Sequence, residues 1–110
     1  MQSNELAKLV ETELDFRKAE NLVTLYVGDK TSITDYMIIA TATSARHAKS
    51  LTDYVLEKVK VLGVNALGVE GAQGSDWVLL DLGDVIVHVM TGQAREFYQL
   101  EKLWSVASEK

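Results

Sequence analysis

Residues 76–90 read DWVLLDLGDVIVHVM, and this stretch decides the fold because it predicts a β-hairpin. Two runs rich in aliphatic and β-branched residues flank Leu82-Gly83, where the glycine can adopt the positive φ that a tight turn requires. A two-residue loop at that point predicts three facing pairs: Asp81 with Asp84, Leu79 with Ile86, and Trp77 with His88. A loop of another length would change these partners.

Alternation along the hairpin assigns its residues to two faces. One face contains only aliphatic side chains and is predicted to lie in the core: Val78, Leu80, Val85, Val87 and Val89. The other face mixes apolar with polar side chains: Trp77, Leu79, Ile86 and Met90 with Asp81, Asp84 and His88. Because unpaired polar groups are costly to bury, we expect this second face to be at best partly buried.

Apolar spacing and turn residues predict the elements that precede the hairpin. A first helix, which Ser3 can cap, has one apolar stripe: Leu6, Leu9, Val10 and Leu14. Strands are predicted at 22–27 and 36–41, followed by a long helix at 45–62 and a weak strand at 64–70. Thr43 or Ser44 can cap the long helix, and Gly63 can end it.

After the hairpin, Thr91 can cap a final helix. Its apolar face is predicted to contain Ala94, Phe97, Leu100 and Trp104, with Tyr98 off this stripe. The element order is then helix, strand, strand, helix, strand, hairpin, helix.

This order predicts the α+β (mixed α/β) class, with a single mixed β-sheet of about five strands and helices packed on it. The second strand and the strand after the long helix can form a right-handed βαβ crossover, whereas the hairpin must be antiparallel. Since no linker or repeat divides the sequence, we expect residues 1–110 to form one domain, with a frayed tail at 105–110.

Composition narrows the classes of function. The net charge of −5 disfavours binding to a nucleic-acid backbone, unless the cations cluster on one face, and makes a basic partner the better match. The absence of cysteine excludes a disulfide framework and a thiolate metal site. The polar N-terminal residues and the lack of a long apolar run predict a cytoplasmic protein without a membrane span.

Few residues suggest catalysis. The two histidines, His47 and His88, belong to no recognisable metal or nucleophile motif, and His88 is expected to be satisfied by a neighbour such as Trp77. Asp35 and Asp81 lie at strand ends, as the metal-binding acids of nucleotidyltransferases do. Those enzymes pair two acids one residue apart, and here the second position is Met37, which cannot ligate Mg²⁺.

Three large apolar residues stand where polar ones would be expected. Trp77 begins the hairpin, Leu82 lies in its predicted turn, and Tyr98 lies off the stripe of the last helix. Exposed side chains of this size are typical of a protein contact. The alternative is that neighbouring elements cover them.

Four ordered segments of the chain form a recognisable set: SITDYMIIAT at 32–41, WVLLDLGDVIVHVM at 77–90, AREFY at 94–98 and LEKLW at 100–104. Together they resemble the Iojap family of ribosomal silencing factors, and the resemblance extends from about Lys18 to Trp104. It implies a nucleotidyltransferase-like fold without the active site, which agrees with Met37 at the position of the missing acid.

The resemblance also implies a non-enzymatic role. Family members bind the large ribosomal subunit through ribosomal protein L-fourteen and sterically block joining of the small subunit when nutrients are scarce. Family crystal forms are commonly dimeric, which implies that the free protein can form a homodimer. No cofactor, no metal and no sequence-specific nucleic acid is implied.

Combined with the exposed apolar residues, the resemblance makes one set of residues the candidate partner-binding site: Trp77, Asp81, Leu82, Asp84 and Tyr98. Two other functions remain open. The protein could assist assembly of the large subunit, or it could be a metal-dependent nucleotidyltransferase that uses Asp35 and Asp81.

Overall fold

The computed structural model describes residues 2–71 and 75–99. Within these residues the elements are α1 (Ser3–Phe16), β1 (Glu20–Tyr26), β2 (Tyr36–Ala42), α2 (Ala45–Val61), β3 (Gly68–Glu70), β4 (Trp77–Asp81), β5 (Val85–Thr91) and α3 (Gly92–Tyr98). Every predicted element is present, although its ends can differ. The predicted tail at 105–110 and the helix positions Leu100 and Trp104 lie outside the described residues.

The strands form one five-stranded sheet in the order β1-β2-β5-β4-β3. β2 and β5 are parallel, and the other neighbouring pairs are antiparallel, which confirms the predicted α+β class with a mixed sheet. β3 runs parallel to β2, but it lies at the far edge, and the parallel neighbour of β2 is β5. The short β3 suits an edge because it carries the exposed Glu70, whereas β5 is almost wholly buried.

Helices α1 and α2 cover one face of the sheet, called here the helix-covered face. The five aliphatic residues predicted for the core all lie on it and are each at most 5% exposed: Val78, Leu80, Val85, Val87 and Val89. The helices meet them with side chains spaced three or four residues apart: Leu6, Val10, Leu14, Ala48, Leu51, Val55 and Val59. Each fully buried Val or Leu contributes about 1.5–3 kcal/mol, so this face supplies most of the stability.

The register of the hairpin differs from the predicted one. The facing pairs are Asp81 with Ile86, Leu79 with His88, and Trp77 with Met90. The backbone N–H of Leu82 donates to the carbonyl of Val85 over 2.9 Å, so the connection is Gly83-Asp84, and Gly83 has a φ of +87°. The turn begins one residue later than predicted because Leu82 continues the apolar alternation of β4.

Leu82 is therefore a core residue and not a turn residue. Its side chain is 6% exposed and belongs to the cluster on the helix-covered face. The prediction that Leu82 is exposed at the surface, and with it a direct partner contact by this side chain, is wrong. A two-residue shift of register preserves which face each residue occupies, so the predicted division of the hairpin into two faces is correct.

The helix ends follow from local hydrogen bonds. Ser44 caps α2 by accepting from the backbone N–H of His47 over 3.1 Å, and Gly63 follows the helix with a φ of +85°. The predicted cap of α1 is wrong by one residue, because Gln2 is the N-cap and its N–H donates to Glu5 Oε1 over 2.8 Å. No helix among the described residues is long and apolar enough to cross a membrane.

Candidate protein-binding site

The face of the sheet away from α1 and α2 is called here the opposite face. α3 covers one end of it, where Met90 is fully buried and packs with Ala94. Beyond α3, Leu79 and Ile86 remain half-buried. The face is thus partly open, as predicted, but Met90 and His88, which is 5% exposed, are buried more completely than expected.

His88 is satisfied by Trp77, as predicted. The indole Nε1 of Trp77 donates to Nδ1 of His88 over 3.0 Å, and the two ring centroids are 5.7 Å apart. Burial lowers the pKa of His88 from 6.5 to about 4. The imidazole is therefore neutral at pH 7 with Nδ1 as an acceptor, and the bond fixes the orientation of the indole.

Trp77 also contacts Tyr98, and Tyr98 contacts Phe97. The centroids of Trp77 and Tyr98 are 4.5 Å apart, and those of Phe97 and Tyr98 are 5.0 Å apart in an edge-to-face arrangement. Trp77, Phe97 and Tyr98 are called here the aromatic cluster. Phe97 is 79% exposed and Tyr98 is 51% exposed, so large apolar surface faces solvent.

A cavity of about 410 Å³ adjoins the aromatic cluster between the start of β4 and α3. Its lining combines the three aromatic rings with small and polar groups: Ser75, Asp76, Gln93 and Ala94. A pocket with apolar walls and a few polar groups is suited to an inserted side chain of a partner.

Phe97 is the functional candidate that sequence reasoning missed. Its helical spacing from Ala94 placed it on the buried stripe of the last helix, and Ala94 is indeed 7% exposed. α3, however, ends at Tyr98, and Gln99 follows it with a φ of +51°. A helix of this length covers too little of the sheet to bury Phe97. The sequence carries no clear signal of this end, since Gly92 lies at the start of the helix.

Arg95 attaches α3 to the sheet. Its Nη1 donates to Thr41 Oγ1 over 2.7 Å and also to the backbone carbonyl of Asn21. Thr41 belongs to β2 and Asn21 to β1, so one guanidinium joins three elements. These bonds hold the short helix, and therefore Phe97 and Tyr98, in a defined position.

The acidic residues of the candidate site lie at the other end of the hairpin. Asp81 Oδ1 accepts from the backbone N–H of Gly83 over 2.9 Å, which stabilises the turn. Asp84 is exposed, and its carbonyl accepts from the N–H groups of Asp35 and Tyr36, each over 3.0 Å. Trp77 and Asp81 are four positions apart on β4, roughly 13 Å. Thus the structure joins Trp77 with Tyr98, and Asp81 and Asp84 lie apart from them.

The acids proposed for metal chemistry form no such centre in the described part of the chain. No group of three or more His, Cys, Asp or Glu residues there is arranged to hold a metal ion. Met37, at the position of the second acid, is 5% exposed and packs with Val27, Ile39 and Met90. An apolar cluster of this kind offers no hard oxygen ligands for Mg²⁺.

Comparison with known proteins decides the family. The model of the family described as "Ribosomal silencing factor during starvation" matches residues 1–110. The chain belongs to the ribosomal silencing factor family. Among its relatives is the ribosomal silencing factor of Haemophilus influenzae, which is 46% identical over 97 residues, or 88% of this chain and 94% of the relative.

Other members of the silencing-factor family extend the comparison. A crystal structure of a protein from Chromobacterium violaceum superposes with a TM-score of 0.92 at 39% identity, and the match covers 96% of this chain and 88% of that one. A mouse protein named "Mitochondrial assembly of ribosomal large subunit protein 1" is 32% identical over 93 residues, 82% of this chain but only 41% of that protein. The resemblance to the Iojap family is thereby confirmed.

Proposed function

We propose that this silencing factor binds the large ribosomal subunit through ribosomal protein L-fourteen and thereby blocks joining of the small subunit. The observation that carries the proposal is the aromatic cluster beside a partly open sheet face, in which Phe97 and Tyr98 are exposed and Trp77 is half-buried. Aromatic residues of this kind are the usual anchors of protein interfaces. The proposed action is steric, in the cytoplasm, and needs no catalytic residue or cofactor.

Charge supports a basic partner for this side of the molecule. Asp76 lies beside the aromatic cluster, and Asp81 and Asp84 lie at the turn of the same hairpin. Ribosomal proteins are commonly basic, so the acidic groups would speed encounter while the aromatic groups slow release. Asp81 and Asp84 are therefore proposed as peripheral contacts, and Trp77 and Tyr98 as central ones.

The opposite face alone is smaller than an ordinary protein interface. Strands spaced about 4.8 Å apart, each about five residues long, give the opposite face a surface of roughly 20 by 17 Å. This is about 340 Å², so a partner must also contact the aromatic cluster and the loops beside it to reach the roughly 800 Å² per partner of an ordinary stable interface. The same surface is proposed to mediate a homodimer of the free protein, in competition with L-fourteen.

Two exposed phenylalanines offer a matched test of the surface. Phe97 belongs to the aromatic cluster and is 79% exposed, whereas Phe16 ends α1 and is 70% exposed. Calorimetric titration with purified L-fourteen should show one-to-one binding by the unmodified protein. Phe97→Ala should weaken this binding at least about tenfold, or about 1.4 kcal/mol, and Phe16→Ala should not change it. Absence of binding, or an equal effect of both substitutions, would refute the proposed surface.

A second candidate function is assistance in assembly of the large subunit. It is favoured by the name of the mouse relative, which refers to assembly of the mitochondrial large subunit. Cells that lack the protein would then accumulate precursors of the large subunit, while purified subunits would join normally in its presence. Normal precursor levels together with blocked joining would favour silencing instead.

A further inference from the structure

A groove of about 370 Å³ lies on the helical side of the molecule, away from the aromatic cluster. It runs between the end of α1 and the first three turns of α2. The residues that line it are mostly charged: Arg17, Arg46, Lys49, Ser50, Asp53, Tyr54 and Glu57. This groove, called here the basic groove, plays no part in the proposed contact with L-fourteen.

The ring of Tyr54 organises the cations at the basic groove. The guanidinium carbon of Arg17 lies 4.5 Å from the ring centroid, and Nζ of Lys58 lies 5.3 Å from it. Cation–π contacts of this kind hold the long side chains in place without neutralising their charge. The side chains of Arg17 and Lys58 are therefore already held in place as hydrogen-bond donors, so ligand binding does not have to restrict their conformational freedom.

The groove carries net positive charge although the chain as a whole is acidic. Arg17, Arg46 and Lys49 line the groove, which with its two acids gives a net charge of +1, and Lys58 adds a further cation over the ring of Tyr54. They face two acids, Asp53 and Glu57, and Lys49 pairs with Asp53 at 2.7 Å. No ion pair within residues 2–71 and 75–99 involves Arg17, Arg46 or Lys58.

The start of α2 strengthens this local field. Arg46 and Lys49 lie in its first turns, and the first turn contains no acidic residue. The partial positive charge of a helix N-terminus therefore adds to the side-chain charges and is not cancelled by a carboxylate. An overall charge of −5 disfavours nucleic-acid binding only if the cations are dispersed, and these cations are not.

We propose that the basic groove binds the phosphate backbone of double-helical RNA. Phosphate oxygens accept hydrogen bonds from Arg and Lys, and a helical backbone can present successive phosphates along a groove of this kind. The choice of RNA rests on the proposed function, since a protein bound to the large subunit lies beside ribosomal RNA, which supplies such a backbone. The protein would then have two separate contacts of opposite charge, an acidic aromatic surface for a basic protein and a basic groove for RNA.

The proposal can be tested with a fluorescently labelled RNA duplex. Anisotropy is measured while the full-length protein is added, at about 50 and about 200 mM KCl. Arg46→Gln combined with Lys49→Gln removes two cations from the groove. Lys8→Gln combined with Lys30→Gln removes the same charge from residues that do not line it and serves as the matched control.

We expect the unmodified protein to bind the duplex at low salt and to lose affinity as salt rises. The groove variant should bind at least about fivefold more weakly, with a salt slope reduced by about one for each lost phosphate contact. The control variant should change the affinity less than about twofold. Binding that is absent at low salt, or that both variants weaken equally, would overturn the proposal.

Two further measurements separate this proposal from its alternatives. Equally tight binding to phosphatidylglycerol vesicles would show a general affinity for anionic surfaces and would contradict an RNA site. Binding of purified L-fourteen should be the same for the groove variant and the unmodified protein, because the aromatic cluster lies on the other side of the sheet. Failure of the RNA proposal and failure of the L-fourteen proposal therefore give different results.

Discussion

The indole of Trp77 and the imidazole of His88 form a hydrogen-bonded pair on the opposite face of the sheet. Trp77 Nε1 donates to His88 Nδ1 over 3.0 Å, and the centroid of the same indole lies 4.5 Å from that of Tyr98, with the two rings tilted by 51°. A histidine that is 5% exposed thus fixes a side chain of the proposed interface. The bond requires a neutral imidazole, because Nδ1 of a protonated ring cannot accept.

This relationship predicts a dependence of stability on pH. The pKa of His88 is lowered to about 4 in the folded protein by burial, against 6.5 for an exposed histidine. As the pH falls, the unfolded chain therefore takes up a proton at a higher pH than the folded protein does. The stabilisation is complete above about pH 6.5 and is lost as the pH falls towards 4. Between pH 7 and pH 5 the free energy of unfolding should fall by about 2 kcal/mol, measured by urea denaturation.

The control for the pH effect is His88→Gln, whose side-chain oxygen can still accept from the indole. This variant should lose most of the decrease between pH 7 and pH 5, because no imidazole remains to be protonated. An equal decrease in both proteins would show that other groups cause it. The same measurement at pH 8 would give the cost of the substitution itself.

Leu82 and Leu67 form a second matched pair. Leu82 is 6% exposed in the core, whereas Leu67 is 75% exposed just before β3. Leu82→Ala should lower the free energy of unfolding by about 2–5 kcal/mol because it opens a cavity, and Leu67→Ala by less than about 0.5 kcal/mol. Urea denaturation measures both. Similar small effects of both substitutions would contradict the burial of Leu82 and would indicate that its side chain is exposed in the turn.

Trp77 and Tyr98 are predicted to be the central contacts of the protein interface. Trp77→Ala and Tyr98→Ala should each weaken binding of L-fourteen by about 2 kcal/mol, roughly 30-fold in affinity. Tyr98→Ala is the cleaner test, since Tyr98 is 51% exposed and its removal leaves the core intact. Circular dichroism should show that each variant is folded. Unchanged affinity in both folded variants would place the central contacts elsewhere.

Alternation along the hairpin was sufficient to predict the core. Alternate residues of each strand, Val78 and Leu80 on β4 and 85, 87 and 89 on β5, are aliphatic, which directs this face of the hairpin towards the helices. The class of fold followed from the order of the elements. Alternation does not distinguish registers that differ by two residues, however, and for this reason the predicted partner of Trp77 was His88 and not Met90.

The candidate site was only partly predictable. Trp77 and Tyr98 were identified as apolar residues at unexpected positions, but their contact depends on α3 folding back towards the start of β4. Leu82 was misassigned because its exposure was judged from the turn, whose position was one residue in error. Phe97 was overlooked because helical spacing shows which residues share a face of the helix. It does not show whether the helix is long enough for that whole face to be buried against the sheet.

Joining of purified ribosomal subunits tests the central claim most directly. Large subunits are incubated with saturating protein, small subunits are added, and the products are separated by sedimentation through a sucrose gradient. The proposal predicts that subunits remain separate with the unmodified protein and with Phe16→Ala, and that Phe97→Ala needs more protein for the same effect. Undiminished formation of joined ribosomes at saturating unmodified protein would contradict it.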